Sequence, residues 1–322
     1  MMKNEITLFA YAKINLSLIV VGRRPDGYHN IRSLMQGIDL YDVIKITKCV
    51  ENGTKYNLPH CTIGGIVVYL CTDADTIPVD MSNLAFRGVA AVLEEYAVQN
   101  GAAAVNDGLL ITIDKKLPVS AGIAGGSGNA AACMLGVNAL MGSPFSLREL
   151  MDIGAGVGAD VPFSLMMNAR RNSAVLTGLN GIEEASAAAW IGGIGDIVEP
   201  TEPMQRHVIM GNPGIAVSTK AAYEAIDSII TAPGYAGNAD EHPLFENDFE
   251  SYTLREHPEA SRLRSVMKNE LHADTVVMSG SGPTMIAYYS DPELAAADYT
   301  HMKEIADREA HWRVWLTVTG IS

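Results

Sequence analysis

The sequence predicts an α+β protein built as two domains. A length of 322 residues exceeds what one core usually organises. Apolar residues make up 48% and charged residues 19%, the composition of a packed globular chain. Strand-like and helix-like segments also interleave twice, on either side of a poorly patterned stretch at about 168–205. Together these predict a first domain at 1–166 and a second at 167–322, with a loop-containing insertion or hinge at about 168–205.

Taken in order, Ile14 to Val21 is rich in Leu, Ile and Val and stops at Gly22 before the turn signal Pro25-Asp26-Gly27. Val43–Thr47, Ile66–Leu70 and Leu109–Ile113 read as further strands. Asn83 to Tyr96 carries apolar residues at helical spacing behind a candidate N-cap, Ser82. Ser127 to Leu140 reads as a helix with a small apolar face, and Ser146 with Glu149 is a capping box that opens the next one. That helix ends near Gly156 to Gly158. Pro162 then biases Val161 towards extended geometry, which predicts a loop around Asp160. Beyond the insertion, His207–Met210, Thr275–Met278, Thr284–Tyr289 and Trp312–Thr317 read as strands and Pro292–Ala310 as a helix.

A net charge of −14 opposes binding to nucleic acid or an anionic membrane. A nucleotide ligand would need a local site that reverses the sign with backbone amides, a few cations or a metal. Cys49, Cys61, Cys71 and Cys133 show no metal-ligand spacing, so buried reduced thiols are expected. No apolar run approaches membrane-spanning length, and the N-terminus lacks an apolar leader, which predicts a cytoplasmic protein.

The most informative stretch is Pro118-Val119-Ser120-Ala121-Gly122-Ile123-Ala124-Gly125-Gly126-Ser127-Gly128-Asn129. It lies between a strand and a helix. So few side chains let backbone N–H groups approach a polyphosphate, and the helix start turns its positive end towards the same charge. A tight strand-to-helix turn is the plainer alternative. The lysine of a P-loop and the spacing of a dinucleotide fingerprint are both missing.

These residues resemble the second motif of the GHMP kinases. The family's first motif is similar to Ala12-Lys13-Ile14-Asn15-Leu16-Ser17-Leu18, and its third to Met278-Ser279-Gly280-Ser281-Gly282-Pro283-Thr284. Arg24-Pro25-Asp26-Gly27-Tyr28-His29, Gly158-Ala159-Asp160-Val161-Pro162, Asn212 to Thr219 and Asn247-Asp248 resemble the members that phosphorylate the 2-hydroxyl of 4-diphosphocytidyl-2-C-methyl-D-erythritol in the non-mevalonate isoprenoid pathway. The chain departs from the family at Gly128 and Asn129, where a second Ser and an Asp are usual, and at Tyr11, where Pro is common.

The resemblance implies an N-terminal nucleotide-binding α/β domain, a C-terminal ferredoxin-like α+β domain and an active site between them. It implies ATP and Mg²⁺, a cytidine-diphosphate-linked polyol as substrate, and a monomer or homodimer; metal ligands are left unassigned. Asp160 becomes the proton acceptor, and Lys13 the cation that pairs with it and stabilises the phosphoryl oxygens. Pro118, Gly122, Gly125, Gly126, Ser127, Gly128 and Asn129 become ATP-binding. Asn15, Tyr28, His29, Tyr223, Ser281 and Gly282 become substrate-binding. Each has a plainer reading: Asp160 as a helix cap, Lys13 as a solvated surface charge, Tyr223 as a helix-face core residue, and Ser279 to Thr284 as a hairpin turn. A mevalonate- or homoserine-type kinase and a catalytically inactive nucleotide-binding homologue remain as alternatives.

Overall fold

The computed structural model describes residues 4–49, 58–100, 108–119, 121–230 and 244–320, with backbone only at 228–230. Its spine is an antiparallel hairpin of β1 (Glu5–Arg23) and β2 (His29–Cys49). The expected strand at Ile14–Val21 is the distal part of β1. The Pro25-Asp26-Gly27 turn is as expected: Gly27 has φ +89°, its N–H donates to the Arg24 carbonyl, and the Asp26 carboxylate accepts from the Tyr28 N–H.

The hairpin β3 (His60–Ile63) and β4 (Ile66–Thr72) joins the sheet through β5 (Gly108–Asp114), which runs parallel to β4 after the crossover helix α1 (Leu84–Asn100). The cap of α1 is Asn83 rather than Ser82: the Asn83 Oδ1 accepts from the Ala85 N–H, while the Ser82 hydroxyl turns back to Asp80. Helix α2 (Gly125–Leu140) is buried almost all round. Its small residues allow this, since a Cβ at Gly136 would stand 2.7 Å from the Ile46 Cδ1. The capping box of α3 (Leu147–Ala155) forms as its sequence predicts.

The segment from Val161 onward differs from expectation. Val161 to Arg171 is a helix, α4, with Asp160 as its N-cap at φ −86° and ψ −5°. Pro162 falls in the first turn, where a missing N–H costs nothing because that group has no intrahelical acceptor. The stretch at 168–205 is also more regular than its composition predicts. It contains the end of α4 and a hairpin of β6 (Ala188–Gly192) and β7 (Ile197–Thr201), with β6 paired to β2 at Ser33–Gln36.

The C-terminal strands are β8 (Arg206–Asn212), β9 (Thr275–Met278), β10 (Met285–Tyr289) and β11 (Arg313–Thr319), all antiparallel, with β8 between β10 and β11. They join the rest of the sheet where Thr319 of β11 pairs with Ile38 of β2. The helices are α5 (Thr219–Ile230), α6 (Glu250–Glu256), α7 (Pro258–Glu270) and α8 (Pro292–Ala306). The first three are absent from the sequence reading, and α8 ends four residues before the expected Ala310.

Two apolar clusters hold this together. The larger lies between the β1–β2–β4–β5 sheet and α1, α2 and α4. The smaller gathers Ala12, Ile14 and Leu16 from β1, Ala121 and Ile123 from the glycine loop, and Val208, Val277, Ile286 and Tyr288 from the C-terminal strands. It therefore cements the glycine loop between the two ends of the chain. Cys49 and Cys133 are buried as expected, and burial pushes the Cys133 thiol up to about 12; Cys61 and Cys71 are only half-buried. Among the described residues no helix is long and apolar enough to cross a membrane.

Candidate active site

Alternation along β1 sorts the chemistry from the core. Ala12, Ile14 and Leu16 enter the smaller cluster, while Lys13, Asn15 and Ser17 occupy the positions between them. Register irregularities at 11–13 and 15–17 adjust this face locally. Lys13 is no surface lysine, at 3% exposure. Its Nζ donates to the Asn15 Oδ1 at 2.9 Å and stands 3.5 Å from the Asp160 Oδ2. An N-cap aspartate ordinarily spends its carboxylate on the next amides. Asp160 makes no such cap bond and remains a third exposed, facing the lysine.

The glycine loop reaches the same point from the other side. The Ile123 carbonyl accepts from the Lys13 N–H at 3.1 Å. Helix α2 begins at Gly125, two residues earlier than the sequence predicts, so Gly125, Gly126 and Ser127 present the first free N–H groups of a 16-residue helix. Gly126 is exposed. Ala124 before it is left-handed, at φ 55°. A Cβ at Gly128 would stand 2.8 Å from the Tyr11 carbonyl oxygen, so the departure from serine there accompanies a close approach of β1 to α2. Ser120 lies outside the described residues, and Pro118 lines a separate cavity of about 660 Å³ beside Lys115, Asn212 and Trp312.

The turn at Ser279–Thr284 meets this loop backbone to backbone. Gly122 has φ +73°, and a Cβ there would fall 2.5 Å from the Ser279 carbonyl oxygen. The Ser279 hydroxyl donates to the Gly122 carbonyl at 3.0 Å, and the Gly280 N–H donates to the Asn15 Oδ1 at 3.1 Å. Asn15 in turn donates to the Ser33 hydroxyl at 2.8 Å. Ser281 sits 2.8 Å from the Thr219 hydroxyl, at the start of the helix that carries Tyr223. Gly282 is buried beside Met278 and Thr253.

A cleft of about 700 Å³ opens next to Asp160, lined by Ala159, Pro162, Tyr28, His29 and Tyr223. Tyr28 is 62% exposed, whereas His29 is buried, stacked on Tyr223 at 4.8 Å between ring centroids. The His29 Nε2 lies 2.7 Å from the Asp227 Oδ1, and Arg23 pairs with the other carboxylate oxygen. Burial, and secondarily the Asp160 charge, pushes the Tyr223 phenol up to about 12, so it remains a neutral donor. Gly195 of the β6–β7 hairpin tip closes on the Ala159 carbonyl, bringing the least legible part of the sequence to the rim of the cleft.

Sequence reasoning missed Asp42. Fully buried, its carboxylate accepts from the Lys115 Nζ at 2.6 Å and from the Lys116 and Leu117 N–H groups. It thereby fixes the lead-in to the glycine loop, and the Lys115 Nζ lies beside Gly125. The only signal was an acidic residue directly before the expected strand at Val43–Thr47. Replacement Asp42→Ala leaves the Lys115 charge buried without its partner and is expected to cost about 3–5 kcal/mol. Denaturant titration of the purified variant checks this, and a loss below about 1 kcal/mol would contradict it.

Comparison with known proteins gives the family and the fold. The GHMP kinases N terminal domain matches residues 83–168 and the GHMP kinases C terminal domain residues 216–307. The chain is 33% identical over 305 residues to the 4-diphosphocytidyl-2-C-methyl-D-erythritol kinase of Caldicellulosiruptor saccharolyticus, covering 90% of this chain and 91% of that one. It is 32% identical to the enzyme of that name from Alkaliphilus metalliredigens, covering 92% of each. Among solved structures, a 4-(cytidine 5'-diphospho)-2C-methyl-D-erythritol kinase superposes with a TM-score of 0.70 at 25% identity, over 98% of this chain and all (100%) of that one. The L. major mevalonate kinase shares the fold, with a TM-score of 0.58 at 14% identity over 99% and 98% of the two chains.

Proposed function

Because the chain belongs to the GHMP kinase family, we propose that it transfers the γ-phosphoryl group of ATP to the 2-hydroxyl of 4-diphosphocytidyl-2-C-methyl-D-erythritol. The observation that carries the reading is the Lys13–Asp160 pair, set between the N-terminus of α2 and the 700 Å³ cleft. Several relatives with this printed name align over most of the chain.

In the proposed reaction the α2 N-terminus and the loop through Gly122 hold the triphosphate by backbone N–H groups and the positive end of the helix. Asp160 accepts the proton of the substrate hydroxyl. The oxygen forms its bond to the γ-phosphorus as the bond to the β–γ bridging oxygen breaks, and ADP leaves. Lys13 neutralises charge on the transferring oxygens. Asn15 fixes the ammonium through its Oδ1. Tyr28 supplies an exposed aromatic face for the pyrimidine, the stacked His29 and Tyr223 form the wall beside it, and Ser281 with Gly282 borders the phosphates.

Mg²⁺ suits this site. No group of three or more His, Cys, Asp or Glu side chains that could hold a metal occurs among the described residues. Magnesium in kinases leans on substrate phosphates with few protein ligands. The Asn129 Oδ1 is buried without a hydrogen-bond partner, and it and the Ser127 hydroxyl, both near the start of α2, are the oxygens we assign to the ion. When bound, the metal neutralises phosphate charge.

A coupled ADP-release assay with Mg²⁺, ATP and a panel of diphosphocytidyl methylerythritol, mevalonate and homoserine tests the reading. Turnover with the cytidyl compound is the expected result. Turnover with mevalonate or homoserine alone would reassign the substrate, and turnover with none would favour an inactive homologue, in which a Lys13–Asp160 pair has no purpose.

A further inference from the structure

A second set of side chains grips the Ser279–Thr284 turn and Met278, the strand residue that leads into it. The Asn247 Nδ2 spends both hydrogens on this turn, donating to the Met278 carbonyl at 2.7 Å and to the Gly280 carbonyl at 2.8 Å. One helical turn on, the Glu250 carboxylate accepts from the Met278 N–H at 3.0 Å. Another turn on, the Thr253 hydroxyl donates to the Ser281 carbonyl at 3.1 Å. The spacing of three residues puts all of them on one side of the segment that leads through α6.

That segment is itself fastened to β1. Phe245 N–H donates to the Leu16 carbonyl, Leu18 N–H to the Glu246 carbonyl, and Asp248 N–H to the Leu18 carbonyl. The Asp248 carboxylate accepts from the Val20 N–H at 2.7 Å. Residues 245–248 therefore add a short parallel partner to the strand that carries Lys13 and Asn15.

We propose that Asn247, Glu250 and Thr253 form a clamp that fixes the Ser279–Thr284 turn and, through Gly280 and Asn15, sets the position of the Lys13 ammonium. They are positioning residues, and the inference rests on the role given above to Lys13. The relay is short. Gly280 has φ +60°, a conformation that only its neighbours hold in place, and its N–H is one of the donors that orient the Asn15 Oδ1. The other principal donor to that oxygen is the Lys13 Nζ. If the turn rotates, Asn15 follows Gly280 or loses it, and the ammonium shifts relative to Asp160.

The test is a double-mutant cycle on kcat and KM with ATP and the accepted substrate. Asn247→Asp keeps the side-chain size but turns an oxygen towards two carbonyls. Misplacing a reacting group by about 1 Å costs on the order of 10²-fold, so a kcat loss of that order is expected, with both KM values within about twofold of wild type. In an Asn15→Ala background the same substitution should cost less than about threefold, because the relay is already cut. Thr253→Val, which deletes a single donor, should lower kcat by about threefold to tenfold with the same dependence on Asn15; it carries the test if Asn247→Asp does not fold. Additive losses in the two backgrounds, or a raised KM with unchanged kcat, would overturn the proposal. Wild-type turnover in the substrate panel decides the kinase reading separately, and the cycle can be run on whichever alcohol is phosphorylated.

Discussion

Asp160→Asn is expected to bind ATP like the wild type and to lose at least about 10²-fold in turnover. The substitution keeps the size and the N-cap backbone of Asp160 but replaces the basic carboxylate with a neutral amide too weakly basic to receive the hydroxyl proton. Some stability should also be lost, because the buried Lys13 ammonium keeps its hydrogen bond to Asn15 but loses the carboxylate it pairs with, while the Asp160 side chain itself makes no cap bond. Nucleotide binding, followed by equilibrium titration of ATP, should be unchanged, since the loop and the α2 N-terminus act through backbone groups. Single-turnover kinetics then isolates the chemical step. A variant that turns over like the wild type would remove Asp160 from the mechanism.

Lys13→Met is expected to lower kcat by about 10²- to 10³-fold, the usual cost of deleting a charge aimed at the transition state. Methionine has the unbranched stem needed for a site only 3% exposed, so packing should survive. Arginine is a poor control there, because its planar fork is bulkier and differently aimed. Combined with Asp160→Asn, the Lys13 substitution should add little, since groups that act as one unit lose activity together. Losses that multiply in the double variant would mean two independent functions, and turnover above a tenth of wild type for Lys13→Met would exclude the electrostatic role.

Much of the candidate site is legible in local sequence. Glycines and short local spacings encode the loop at 122–128, the Pro25-Asp26-Gly27 turn, the capping box at Ser146 and the turn after Met278, all features written within a few residues. The elements that escaped are those whose purpose lies across the chain. Asp42 looks like any polar residue in a strand until Lys115 folds onto it. Strand β6 has Ile191 as its one β-branched residue and is fixed by pairing with Ser33–Gln36 of β2, while Pro200 interrupts the strand signal of β7. Asn247 carries no local signature of a clamp, because its acceptors lie 31 and 33 residues away. Asp160 does lie in a turn ahead of a helix, but Val161 was misread, since a proline that would break a helix interior is well placed in a first turn.

Strand β2 carries His29 at its first residue and Asp42 further along. At about 3.3 Å per residue the two stand on the order of 40 Å apart along the chain. One end lies at the cleft beside Asp160 and the other holds the lead-in to the glycine loop, so a single strand ties the two sides of the candidate site together. Lengthening or shortening it by one residue would turn every side chain beyond that point to the opposite face. A change in its length is therefore expected to disturb both sides of the site at once, which leaves the hairpin tip at Gly195 and α5 as the parts of the cleft rim that can vary alone.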